Sequence, residues 1–235
     1  MGDLTYEGRD LEVLADMPNY YAWIMDRFGP HVRGRVIEYG SGTGTVSARL
    51  LPLADTLTLV EPSPNLVASL RTRFAGQPRV DIRAEMLESH VKQVPAGAAE
   101  TIVMVNVLEH VEDDEDALSN LLRALTPGGK LLIFVPALQF LMSRLDLLHG
   151  HFRRYHRPDL VGKVSRAGGQ VEICRYFDLP GVAPWLVLNK LMGSTTFNPA
   201  LVRFNDRAMV PLARKMEEYL NPPFGKNLIL VARRS

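Results

Sequence analysis

Apolar residues come along the chain in runs of four to six, and between the runs they recur at the three-to-four-residue spacing of a helix face. The runs occupy residues 36–39, 57–60, 80–84, 101–105 and 130–135, short in the manner of buried strands, although Asp81 and Arg83 interrupt the third. Helical spacing fills 45–51, 65–74 and 114–125, and Thr126-Pro127-Gly128-Gly129 supplies a stop after the last of these. Strand and helix repeating in this way predict an α/β fold, a parallel doubly wound sheet with helices on both faces. Ahead of the first strand, residues 11–28 carry Leu14, Met17, Tyr21, Ile24, Met25 and Phe28 at helical spacing, with Pro18 expected to break or restart the helix. After the fifth strand the rhythm changes. A helix over 157–167 has Pro158 in its first turn and stops at Gly168-Gly169, and strands follow at 171–177 and 227–232.

Residues 178–226, between those last two strands, contain Pro180, Pro184, Pro199, Pro211, Pro222 and Pro223 together with apolar segments at 185–192 and 208–219. A stretch so rich in apolar groups needs a surface to pack on, and it reads as a helical lid or an oligomer surface. The expected organisation is one domain over 1–235: a helical segment at 1–30, a core at 31–177, the insertion at 178–226 and a last strand at 227–235.

Composition narrows the partners. A chain of 235 residues suits one core with an elaboration. Its 27 basic and 26 acidic residues leave a net charge of +1, too little to draw in a polyanion, so nucleic acid is not an expected partner. Cys174 is the sole cysteine, which rules out an internal disulfide and fits a reducing cytoplasm. Asp3, Glu7, Arg9, Asp10 and Glu12 interrupt the N-terminus where a secretory signal needs an apolar core, and no stretch is apolar enough to span a bilayer.

The candidate chemistry begins where the first strand meets its helix, in Val36-Ile37-Glu38-Tyr39-Gly40-Ser41-Gly42-Thr43-Gly44-Thr45. Glycines there let the backbone turn tightly and let a ligand approach without meeting a Cβ. Glu61 ends the second strand 21 residues after Gly40, where a carboxylate can accept hydrogen bonds from both hydroxyls of an adenosine ribose. A nicotinamide dinucleotide would need G-x-G-x-x-G, and the third small position falls on Thr45 or Ser47, which disfavours it.

The pattern E-x-G-x-G-x-G from Glu38 to Gly44 resembles the class I methyltransferases that use S-adenosylmethionine. Further matches follow in order: Ala84-Glu85-Met86, Asn106-Val107-Leu108-Glu109-His110-Val111, and Leu125-Thr126-Pro127-Gly128-Gly129-Lys130. Gly150-His151-Phe152-Arg153-Arg154-Tyr155 and Pro223-Phe224-Gly225-Lys226-Asn227-Leu228 look like a bacterial subgroup that methylates small molecules. The resemblance implies a Rossmann-like sheet, mostly parallel with an antiparallel last strand, and an insertion before that strand. It implies that Glu38 lies below the methionine part of the cofactor and Glu61 holds the ribose, with Pro62 beside it. Glu85 and Met86 meet the adenine, although Glu85 stands where aspartate is more usual. Tyr20, Gly40, Ser41, Gly42, Gly44, Asn106, Val107 and Leu108 complete the implied cofactor set, S-adenosylhomocysteine being the product.

Methyl transfer from a sulfonium needs alignment and exclusion of water more than an elaborate catalytic set. An oxygen or nitrogen acceptor of high pKa also needs a base, and His110, His151 and Tyr155 are the candidates. Methyltransferases that act on catechols or RNA ends bind a divalent metal through E-x-x-E-H; here Asn106 takes the first acidic position, so no metal is assigned. The expected function is methylation of a small-molecule acceptor, with a homodimer through 178–226 as a possible assembly. The competing readings are a cofactor-binding scaffold without catalysis and a nicotinamide-dependent oxidoreductase.

Overall fold

The computed structural model describes Val13 and residues 16–235. Leu14 and most of 11–15 lie outside the described residues, so the expected helix is seen only from the proline that was to restart it: it runs Pro18–Phe28 and buries Tyr20, Trp23, Ile24 and Phe28. Seven strands follow, β1 (Arg35–Tyr39), β2 (Thr56–Val60), β3 (Val80–Arg83), β4 (Ala99–Val105), β5 (Leu125–Pro136), β6 (Gly169–Phe177) and β7 (Asn227–Arg234), in the sheet order β3-β2-β1-β4-β5-β7-β6. The first five pair in parallel, and β7 is antiparallel to both β5 and β6. This is the doubly wound sheet that the alternation of runs predicts, with the antiparallel last strand that the resemblance implies.

The apolar runs are legible because of where their strands sit. β1, β4 and β5 lie inside the sheet with helices on both sides, so most of β1 and β4 and the whole second half of β5 are buried, whereas β3 at the edge alternates partly buried and exposed positions. Two cores result. One lies between the sheet and helices Asp114–Ala124 and Arg157–Arg166, the other between the sheet and Pro18–Phe28, Ser47–Leu50 and Pro64–Arg73. The Asp114–Ala124 helix shows how sequence sets an element: the Asp113 carboxylate accepts the Asp116 N–H at 3.0 Å, three acids fill the first turn, and Ala117, Leu118, Leu121 and Leu122 face inward. Two short helices, Leu87–Gln93 and Arg144–Leu148, were not expected from the spacing.

The insertion is helical and divides in two. Residues 182–191 pack on the Arg144–Leu148 region through Trp185, whose indole N–H donates to the Leu141 carbonyl at 3.2 Å, while 199–219 pack on the Pro18–Phe28 helix. Its two ends meet. Phe177 pairs with Asn227, the Lys226 N–H donates to the Asp178 carbonyl at 3.1 Å, and the side chains of Lys226 and Asp178 form an ion pair at 2.8 Å. Among the described residues no helix is long and apolar enough to cross a membrane.

Candidate active site

The chain leaves β1 outward to β2 and β3, then returns to lay β4 against the other side of β1. Such a reversal opens a crevice at the carboxyl ends of the two central strands, where doubly wound sheets bind ligands. The glycine turn after β1 and the Asn106 turn after β4 form its two walls, and they touch: a Cβ on Gly40 would stand 2.3 Å from Val107 Cγ2. Gly40, Gly42 and Gly44 have φ of 69, 53 and 79°, and a Cβ on Gly44 would lie 2.8 Å from Phe74 Cε2. Side chains are disfavoured at all three glycines by backbone conformation, and at Gly40 and Gly44 also by space.

Glu61 closes the crevice from β2. Its Oε2 accepts the Gly42 N–H at 2.9 Å and its Oε1 the Ser63 N–H at 3.0 Å, with half-buried Pro62 between. Each oxygen keeps a further lone pair, so this carboxylate braces the turn and can still accept from a vicinal diol. Beneath it Glu38 is buried, hydrogen-bonded by the Ser47 hydroxyl, and its pKa is pushed up to about 8, burial outweighing the bonds from Ser47 and Ser41. Ser41 Oγ also donates to the Glu38 carbonyl at 3.3 Å.

Glu85 and Met86 follow β3 at the same edge, the first half-buried and the second exposed. Asn106 has φ 54° and donates its N–H to the Phe134 carbonyl at 2.8 Å; Val107 is half-buried and Leu108 buried. The parallel register thus brings the expected cofactor residues from four strand ends to one edge. Tyr20 is the exception. Its ring lies among Trp23, Phe134 and Phe177, and its hydroxyl donates to Asn227 Oδ1 at 3.0 Å, which commits it to packing the first helix onto β5 and β7. The neighbouring Tyr21 is the one that senses Glu38: its pKa rises to about 12 through burial, eased by Arg49, whose guanidinium lies 5.5 Å from the ring centre, and raised by Glu38. The sequence offered Tyr21 only as part of a helix face and Ser47 only as an argument against a dinucleotide, and it did not mark Arg49; their closeness to Glu38 appears only in the fold.

A second constellation lies beyond Asn106. The rings of His110 and His151 are 4.6 Å apart and edge to face. Part of His110 reaches solvent, yet loss of hydration around its ring, then His151 and His149, bring its pKa down to about 4. His151 Nδ1 lies 3.1 Å from Asp146 Oδ1. Asp146 is buried and, against the upward push of burial, is held well below the usual carboxylate range by His151, Arg154 and Ser143. Arg154 gives Nε and Nη2 to Asp146 at 3.0 and 2.8 Å and lies over the Trp185 ring at 4.6 Å. Tyr155 departs from the role of a base. It is buried, its hydroxyl donates to Asp114 Oδ2 at 2.8 Å, and burial together with that carboxylate drives its pKa far upward. A phenol so placed keeps its proton and ties its loop to the Asp114–Ala124 helix.

A methyltransferase domain family matches residues 13–172, and the chain belongs to that family. It has the class I fold, and its cofactor is S-adenosylmethionine, a group that the glycine turn and Glu61 fit. The nicotinamide reading is thereby set aside. The chain is 26% identical over 181 residues to a ubiquinone biosynthesis O-methyltransferase of Xanthomonas euvesicatoria pv. vesicatoria, covering 70% of this chain and 73% of that one. It is 29% identical over 114 residues to an uncharacterized methyltransferase of Mycobacterium tuberculosis, covering 48% of this chain and 56% of the relative. A much longer clavatol synthase of Penicillium crustosum is 29% identical over 161 residues, 57% of this chain and only 6% of the synthase. Among solved structures, an S-adenosylmethionine-dependent methyltransferase of Mesorhizobium loti aligns with a TM-score of 0.63 at 16% identity over 92% of this chain and 98% of that one.

Proposed function

We propose that the protein transfers the methyl group of S-adenosylmethionine to a small-molecule acceptor with apolar surface, within the cytoplasm. The observation that carries this reading is the Glu61 carboxylate, fixed by the Gly42 and Ser63 N–H groups against a turn whose three glycines all have positive φ. When bound, the cofactor supplies an electrophilic methyl group on a sulfonium that is a good leaving group. Glu61 accepts from the ribose hydroxyls, Pro62 flanks them, and Glu85 and Met86 receive the adenine. Gly40, Ser41, Gly42 and Gly44 give the backbone approach, with Glu38 below the methionine portion and Asn106, Val107 and Leu108 forming the opposite wall.

The acceptor enters on the side of His110 and His151. With a pKa of about 4, His110 is neutral at pH 7 and has a nitrogen lone pair to offer. Residues 182–192 flank this side, anchored by Trp185 and by Lys190 Nζ, which donates to the Met142 carbonyl at 2.5 Å. They cover the acceptor and exclude water. The other half of the insertion exposes Leu201, Phe204 and Leu212 and pairs with a second copy of the chain.

Calorimetry with S-adenosylhomocysteine tests the cofactor assignment. Wild type binds saturably, and Glu61→Ala loses about 1–3 kcal/mol of affinity, the range for charge-assisted hydrogen bonds. Circular dichroism of the variant separates that loss from unfolding of the turn. Undiminished affinity in a folded Glu61→Ala protein overturns the assignment.

A further inference from the structure

We propose that Glu109, His110 and His151 bind one divalent transition-metal ion on the acceptor side of the crevice. Glu109 is fully buried, yet neither carboxylate oxygen hydrogen-bonds another residue. Buried carboxylates left in that condition are costly and are met by a partner or a metal. The nearby cation does not meet this one: Arg154 spends Nε and Nη2 on Asp146 and Nη1 on the Ala137 carbonyl.

Instead two imidazoles face it. One ligand atom from each of Glu109, His110 and His151 lies within 4.8 Å of the others. Metal bonds of roughly 2.0–2.2 Å hold neighbouring ligand atoms about 3–4 Å apart, so small side-chain rotations close the set. Both histidines are oriented from behind, as ligating histidines are. His151 turns Nδ1 to Asp146, itself fixed by Ser143 and Arg154, which leaves Nε2 for the ion. His110 has a backbone hydrogen bond with His149. The two loops are joined by the Phe152 N–H, which donates to the Glu109 carbonyl at 2.9 Å. Asn106 denies the sequence a second carboxylate, and His151, 42 positions after Glu109 (151 less 109), takes the vacant place in the donor set.

Two imidazoles and one carboxylate suit zinc, cobalt or ferrous iron rather than calcium or magnesium, and three protein ligands leave a position open. An acceptor hydroxyl bound there loses its proton to water more readily. Its oxygen forms the new bond to carbon as the sulfur–methyl bond breaks, and sulfur keeps the electron pair. The histidines then act as ligands rather than as free bases. This use of the ion rests on the methyl-transfer reading; its binding does not.

The test uses the full chain, stripped with chelator and titrated with cobalt(II) by visible absorption and with zinc by calorimetry, alongside S-adenosylhomocysteine. One ion per chain is expected, and Glu109→Gln, His151→Ala and His110→Ala each weaken binding at least about tenfold, the lower bound for losing even an outer partner. His156→Ala leaves it unchanged. Because His110 is exposed, its variant folds even where Glu109→Gln does not, and circular dichroism verifies this. No saturable uptake by wild type, or equal uptake by folded His110→Ala and His151→Ala, overturns the proposal. Cofactor-product binding without metal binding sinks the ion alone; metal binding without cofactor-product binding sinks methyl transfer and leaves the ion site supported.

Discussion

At Glu38 a carboxyl group is held between opposing demands. Burial favours its neutral form while Ser47 and Ser41 bond the charged one, and burial wins, with ionisation displaced from an ordinary 4.5 to about 8. The folded state therefore holds an extra proton between those values, and this group's contribution to stability falls as pH rises through that window. Glu38→Gln keeps a partner for Ser47 and cannot ionise. In urea unfolding the variant is expected to match wild type near pH 5 and to exceed it by up to about 2–4 kcal/mol at pH 8–9; a difference independent of pH would contradict the assignment. The sequence marked Glu38 by its place before the glycines. It could not mark Ser47, whose role arises because the helix after the turn folds back over β1.

Elements borrow from one another across the chain. The helix Pro18–Phe28 has Met17 at its N-cap, which offers no side-chain acceptor. The acceptor comes from the insertion: Asp206 takes the Asn19 N–H at 3.2 Å and the Tyr20 N–H at 2.9 Å, the first-turn donors that a local cap would satisfy. Asp206→Ala is expected to cost about 1–3 kcal/mol and to speed hydrogen exchange in residues 18–22 above that of the sheet. Uniform exchange in variant and wild type would show that packing alone holds the helix. Pro18 made the restart of this helix readable, but a cap 187 positions away is invisible to any local pattern. The same limit applied to Glu109, His151 and Arg154, which the sequence offered in separate motifs and not as neighbours, and to Asp146, which nothing in it marked. Leu87–Gln93 escaped for another reason, since seven residues are too few to establish a helical period.

For the whole molecule, the positions of the central strands along the chain were readable because burial on both faces writes a strand as a nearly unbroken apolar run, whereas their order in the sheet was not. The surface of the insertion is governed by different rules. Leu212 is 64% exposed on a helix that buries Val210 and Ala213, and Phe204 is 61% exposed on a helix that buries none of its residues, apolar side chains that a second copy of the chain would cover. Light scattering is expected to give twice the 26.2 kDa chain mass, reduced to one chain by Leu212→Lys; a monomeric wild type at high concentration would remove the dimer.

The junction of Phe177, Asp178, Lys226 and Asn227 carries one more consequence. The polypeptide departs from the sheet and rejoins it at a single doorway, where the two jambs are bolted together irrespective of what passes between them. Lengthening or replacing such a detour changes its closure entropy only slowly, and the strands on either side keep their register. If residues 182–192 cover the acceptor as proposed, substrate preference can be rewritten there, like a cassette exchanged in a fixed player, provided that Asp206 and Trp185 keep the contacts that hold the insertion to the rest of the chain.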